Sequence, residues 1–252
     1  MKELEKWITE DEINSLYSSD YWNDVNEEKS KDWYIENASD DSVVKHLNKS
    51  GLKEEFEMVL SQCIIKGKVL DLASGVCWTS AIVSKINSVD SVDSVEFSFH
   101  RINDLAPIVI ESLDGNKNKI NRILGSFYDI KRENEYYDTI ILSSAYHHAE
   151  FPLKLFHECN RVLKKGGTIL IVGENIIGYK RIFGRLIKNL LKLKLKFHIF
   201  SEYYNQIDDP LGDHYYMECD YRFTFAAYGY SCKSIKSNIR NSIGFVGVKK
   251  KL

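Results

Sequence analysis

KVLDLASGVCWTSAIV, residues 68–83, runs from an apolar strand through a turn of small residues into a helix. A tight turn at the end of a buried strand lets backbone approach a ligand closely. The helix that follows presents unpaired amides and the positive end of its dipole. Asp71 lies at the end of the strand, placed to accept hydrogen bonds from neighbouring backbone or from a ligand ammonium group. Ala73, Ser74 and Gly75 form the bend, and Gly75 gives it freedom to turn. Taken alone, the same stretch reads equally well as an ordinary strand-to-helix turn. The next strand separates the two readings. It ends in Val95-Glu96-Phe97, and Glu96 lies 21 residues beyond Gly75. That is close to the spacing of ~20 at which an acid reaches the hydroxyls of a bound ribose. Phe97 is then placed to face the base.

Working outward, apolar runs recur at 68–72, 94–97, 120–124, 139–143 and 168–173, with helical patterns between them. Strands alternating with helices imply right-handed βαβ units, a parallel sheet with helices on both faces, and ligands at the carboxyl ends of the strands. The helix before the fifth run is the clearest, with Leu153, Phe156, Val162 and Leu163 as its apolar stripe and Lys164-Lys165-Gly166-Gly167 at its end. Residues 63–174 therefore form the core of one α/β domain that spans 1–252. Residues 1–62 are polar and helical in pattern, dotted with Trp7, Tyr17, Tyr21, Trp22, Trp33 and Tyr34, and read as an N-terminal helical cap. Residues 175–217 interrupt the alternation as an inserted cap. Residues 218–252 hold a helix ending near Gly229 and two β-like runs, 231–237 and 243–249.

The formal net charge of −2 and ordinary apolar and charged fractions speak against disorder and against a polyanion-coating protein. The five cysteines lie far apart and form no C-x-x-C pair, so neither a disulfide framework nor a metal site is expected. The opening MKELEKWITEDE is too charged for a signal peptide, and no stretch approaches the ~20 apolar residues of a membrane span, which points to a cytoplasmic protein. The excess of Lys over Arg suggests an AT-rich bacterial genome.

In order, VLDLASG, VEFS, GSFYDI, YYDTIILSSAYHH and HECNRVLKKGGTILIVGEN resemble the successive motifs of the class I (Rossmann-like) S-adenosylmethionine-dependent methyltransferases. The resemblance runs from Lys68 to Glu174. It implies a doubly wound, mainly parallel seven-stranded sheet whose last strand is antiparallel. The implied cofactor is S-adenosylmethionine, with S-adenosylhomocysteine as product. Its donor site would comprise Asp71, Ala73, Ser74, Gly75, Glu96, Phe97, Ser126, Phe127 and Ser143, with Tyr17 and Tyr21 closing over it. Three positions depart from the family pattern. Ala73 and Cys77 stand where glycines are usual, and Ser126 replaces an acid beside the adenine.

Methyl transfer from a sulfonium is an in-line displacement at an activated carbon, so alignment and a dry pocket matter most. A hydroxyl acceptor adds the need for a general base. His147 and His148, after the fourth strand, and His214, in the insertion, are the candidates. Tyr146, Arg181, Arg185 and Tyr215 are the candidate acceptor contacts. The insertion carries YKRIFGRLIKNLLKLKLKFHIF, with Lys180, Arg181, Arg185, Lys188, Lys192, Lys194 and Lys196 and no acid. Phe183, Leu186, Ile187, Leu190 and Leu191 share one helical face. A solvated helix packed on the domain is the plainest reading, and a membrane surface or a bound anion are the alternatives. The expected function is O-methylation of a small acceptor, phosphorylated or sugar-linked, such as those of surface polysaccharides. RNA or N-methylation and a non-catalytic binding subunit are the other readings.

Overall fold

The computed structural model describes residues 2–12, 40–149, 151–191, 214, 216–239 and 242–251. Its strands are β1 (Glu5–Lys6), β2 (Gly67–Leu72), β3 (Val89–Glu96), β4 (Ile120–Leu124), β5 (Tyr137–Ser143), β6 (Leu163–Asn175), β7 (Tyr230–Lys236) and β8 (Ser242–Lys249). They form one sheet in the order β1-β4-β3-β2-β5-β6-β8-β7. Only β8 runs antiparallel to its neighbours β6 and β7. The chain steps outward from β2 to β3 to β4, then returns to β5 on the other side of β2. Such a reversal of strand order opens a crevice at the carboxyl ends of the central strands.

The central strands are apolar on both faces, as a covered parallel sheet requires. In β2, Val69 contributes to one core while Leu70 and Leu72 contribute to the other; Ile141 and Ile140 divide in the same way in β5. The first core is closed by α1 (Asp40–Ser50), α2 (Leu52–Leu60), α3 (Trp78–Ser84) and α4 (Ala106–Ser112), through residues such as Leu47, Phe56, Ala81 and Val109. The second is closed by α5 (Pro152–Val162) and α7 (Glu218–Ala227), which bring Leu155, Phe156, Tyr221 and Phe225 against the sheet. The remaining helix, α6 (Tyr179–Leu191), follows β6.

Three features differ from the sequence expectation. The sheet has eight strands, because Glu5 and Lys6, expected within a helical cap, pair in parallel with Ile123 and Leu124 at the β4 edge. Strand β3 begins at Val89, five residues before the expected start. Its VDSVDS stretch looks too polar for a strand, yet Asp93 is buried because Tyr137 Oη, Asn121 Nδ2 and Arg132 Nε all donate to its carboxylate, at 2.7, 2.6 and 3.0 Å. Strand β6 starts at Leu163 and takes in the Lys-Lys-Gly-Gly sequence expected as a helix end. The expected helix over the last segment is present and stops two residues before Gly229, which takes φ +77°.

Helix α7 sits close against β8 because position 247 has no side chain. A Cβ built on Gly247 runs into the ring of Phe225, which is fully buried. Gly247→Ala is therefore expected to lower stability by about 1–3 kcal/mol, read as a reduced urea midpoint with an unchanged slope. An unchanged midpoint would show that the α7–β8 packing is looser than described.

Candidate active site

The bend after β2 keeps a glycine-type backbone with only one of the usual glycines. Ala73, Gly75 and Cys77 all take positive φ, at +50°, +54° and +61°. For residues with a Cβ that conformation costs roughly 1–2 kcal/mol each. Hydrogen bonds hold the bend in place. Ser74 N–H donates to Val95 O at 3.0 Å and Cys77 N–H to Ser74 O at 2.8 Å. The Glu96 carboxylate accepts from Gly75 N–H at 2.8 Å with one oxygen and from Ser98 N–H at 2.9 Å with the other. The spacing between Gly75 and Glu96 thus becomes a direct contact. A Cβ placed on Gly75 would meet nothing within 4 Å, so the space above the bend is open.

Asp71 is fully buried beneath this bend. One carboxylate oxygen accepts from the Thr79 and Ser80 hydroxyls of α3, and Ser80 is in turn bonded to Ser94 on β3 at 2.7 Å. The other oxygen, Oδ1, has no hydrogen-bond partner among the described residues. Burial pushes the Asp71 carboxyl up to about 6; the two hydroxyls oppose the rise and the charge of Glu96 adds to it. Burial also pushes the Cys77 thiol up to about 12, so it fills space as a neutral group.

A cavity of about 410 Å³ opens at the reversal between β2 and β5. Ala73, Glu96, Phe97, Ser126 and Phe127 line one wall, and Ser144 and His148 line the side that follows β5. The structure thus gathers residues from the ends of four strands that the sequence had marked separately. Arg101 and Tyr128 also line the cavity and, like Ser144, were not anticipated, whereas Ser143, which was, does not line it. The only available signal for Arg101 was its place five residues after Glu96, on the turn of helix that follows β3.

The two adjacent histidines separate. His147 is 8% exposed and does not line this cavity; its Nδ1 meets Glu174 at 3.1 Å, and its carbonyl accepts from His214 N–H at 2.8 Å. Glu174 is fully buried at the end of β6 and also accepts from the N–H groups of Ala145 and Tyr146, both at 3.2 Å, and from Tyr221 Oη at 2.8 Å. Burial acts to raise the Glu174 carboxyl, but His147 and the Tyr221 hydroxyl outweigh it, and the group lies below the usual carboxylate range. This buried carboxylate was not singled out in the sequence, although an acid inside the apolar ILIVGEN run was a visible signal.

Tyr146, proposed as an acceptor contact, is 3% exposed and packs between Tyr216 and Tyr221. Ser143 stands at the end of β5 with a buried hydroxyl that has no hydrogen-bond partner among the described residues. His214 is half-buried beside His147 and Tyr216. Arg181 and Arg185 belong to α6. Tyr17, Tyr21 and Tyr215 lie outside the described residues.

A second cavity, of about 750 Å³, lies on the same edge of the sheet, where β6 and β7 end and β8 begins. Lys180, Arg222 and Lys236 line it together with a single acid, Glu218, which is 3.5 Å from the Arg222 guanidinium.

Residues 70–171 match the family model described as a methyltransferase domain. No curated protein matches the chain significantly by sequence. Solved structures do match. YcgJ from Bacillus subtilis is 15% identical, with a TM-score of 0.59 over 79% of this chain and 99% of its own. PH0226 from Pyrococcus horikoshii OT3 is 19% identical, with a TM-score of 0.59 over 89% and 98%. A candidate O-methyltransferase from Nostoc punctiforme PCC 73102 is 17% identical, with a TM-score of 0.60 over 94% and 71%. At such identities the likeness is one of fold. The matched segment, 102 of the 252 residues, is likewise similar to a methyltransferase domain. The cofactor that the motif resemblance implies is S-adenosylmethionine. The residues present fit that group: a buried carboxylate oxygen awaits a donor, and a bend with no side chain over Gly75 opens on a cavity.

Asp71 gives a test of the site's electrostatics. An acid whose folded pKa lies above its ordinary 3.8 binds its proton more tightly folded than unfolded. Its contribution to stability is therefore fully present below about pH 4 and is lost as pH rises through about 6. At 1.36 kcal/mol per pH unit this amounts to about 3 kcal/mol. Donor-free Asp71→Asn is expected to lose that component of the stability profile, followed by urea midpoints between pH 4 and pH 7. A variant profile parallel to the wild type would count against the burial-driven shift.

Proposed function

We propose that the chain transfers the methyl group of S-adenosylmethionine to a hydroxyl of a small, anionic acceptor, phosphorylated or sugar-linked. The observation that carries this reading is the single cavity lined both by the Glu96-held bend and by His148. The bound donor supplies a methyl group activated by the sulfonium. Each Glu96 oxygen already accepts one backbone N–H and keeps a lone pair for a ribose hydroxyl. Asp71 Oδ1, Ser74 and Gly75 would hold the amino-acid end of the donor, and Phe97, Ser126 and Phe127 would hold the adenine.

His148 is the residue we assign to take up the acceptor's proton, because it lines the donor cavity whereas His147 is committed to Glu174. His214, which lines neither cavity, is left as a support for the His147 backbone. The second cavity suits the acceptor's charged portion, with Lys180, Arg222 and Lys236 set against one carboxylate. Arg181, Arg185 and Tyr215 remain candidates for the same task.

Calorimetric titration with S-adenosylmethionine tests the donor half: wild type gives saturable heat, and Glu96→Ala binds at least about tenfold more weakly, the equivalent of ~1.4 kcal/mol. Absence of heat, or equal affinity in the variant, removes the reading. The acceptor half is tested by release of S-adenosylhomocysteine across pools of phosphorylated metabolites and nucleotide sugars. His148→Ala is expected to lower kcat by about 10²-fold with donor affinity unchanged. His147→Ala is expected instead to cost about 1–3 kcal/mol of stability, since it strips a partner from a buried carboxylate. Full turnover in His148→Ala would eliminate it as the base.

A further inference from the structure

Helix α6 leaves an apolar arc uncovered. Tyr179, Phe183, Ile187, Leu190 and Leu191 are 74, 66, 46, 70 and 79% exposed. Steps of four, four, three and one residues put all five on one arc of the helix. A soluble domain ordinarily turns such a stripe inward. The same helix, YKRIFGRLIKNLL, carries Lys180, Arg181, Arg185 and Lys188 and no acid. Lys192, Lys194 and Lys196 extend the basic run directly after it. Because the whole chain has a formal net charge of −2, this concentration of seven cations is local.

We infer that α6 docks on the surface of a membrane containing anionic lipid, with its apolar arc among the acyl chains and its cations at the headgroups. An apolar face beside a strongly basic face, with little net hydrophobicity, is the pattern of an interfacial helix. The 13 described residues of α6 rise about 20 Å, against the ~30 Å of the hydrocarbon core. Among the described residues no helix is long and apolar enough to cross a membrane. A second copy of this chain is a poor occupant for the same face, because it would bring two acid-free basic segments together. Tyr179 and Lys180 belong both to the start of α6 and to the lining of the second cavity, which Gly178, just before the helix, also lines. Docking therefore sets the mouth of that cavity at the headgroup layer, within reach of a lipid-borne acceptor.

The full chain is incubated with phosphatidylcholine vesicles with or without phosphatidylglycerol, and the bound fraction is measured by sedimentation at low and high salt. The expected result is salt-sensitive binding that requires phosphatidylglycerol. It should weaken at least tenfold in the Phe183→Ser/Leu190→Ser variant and weaken measurably in Lys188→Glu. These positions are exposed, so an unchanged urea midpoint will show that both variants fold. Three outcomes overturn the inference: no binding to either vesicle, equal binding to both, or undiminished binding by the serine variant. Dimerisation in sedimentation velocity that Phe183→Ser abolishes would assign the face to a second copy and also overturn it.

Discussion

The Glu96 carboxylate is the constraint on which the bend after β2 and the crevice above it depend. Its two oxygens hold Gly75 N–H and Ser98 N–H, which begin the turns leaving two different strands. The register of those strands, Leu72 beside Val95, brings the carboxylate level with the bend. Magnitudes explain why the bend survives with only one of its usual glycines. Ala73 and Cys77 cost roughly 1–2 kcal/mol each in left-handed backbone, whereas a hydrogen bond to a charged group returns about 1.5–3 kcal/mol. Two such bonds offset two strained residues, so the substitutions alter the local energetics while the path of the backbone is kept.

A second buried carboxylate organises the other half of the crevice. Glu174 closes four donors around itself: two backbone N–H groups after β5, an imidazole and a phenol. A buried charge is tolerated only when it is so fully satisfied. The consequence is a division of labour between two neighbouring imidazoles. His147 is used to anchor the turn after β5 to β6 and α7, and His148, whose ring lies 4.2 Å from that of His147, is left on the cavity wall.

Much of this was legible in residue order. The apolar runs, the spacing between Gly75 and Glu96 and the sequence of motifs gave the parallel core, its antiparallel last strand and the crevice. These are local patterns whose physics is strong: buried strands must be apolar and a tight bend needs small residues. What escaped was set by partners distant in sequence. The VDSVDS stretch reads as loop until Tyr137, Asn121 and Arg132 are placed around Asp93. The second cavity draws on residues 176–180, 217–222 and 236–243, which no linear pattern joins. The basic insertion was read as amphipathic, but what the face of α6 meets was not in the sequence, because periodicity reveals a face and not its partner.

The two-residue strand at the start of the chain has an effect out of proportion to its length. Glu5 and Lys6 occupy the hydrogen-bonding groups of Ile123 and Leu124, and Arg132 fastens them by bridging Glu5 and Asp93. Trp7 then lies over Gly125 and beneath the same guanidinium. Without that short cover, β4 would present a bare parallel edge, the kind of template on which unrelated chains add strands and precipitate. The opening dozen residues thus act as a selvedge, protecting the sheet from unravelling into intermolecular association at its margin beside the crevice.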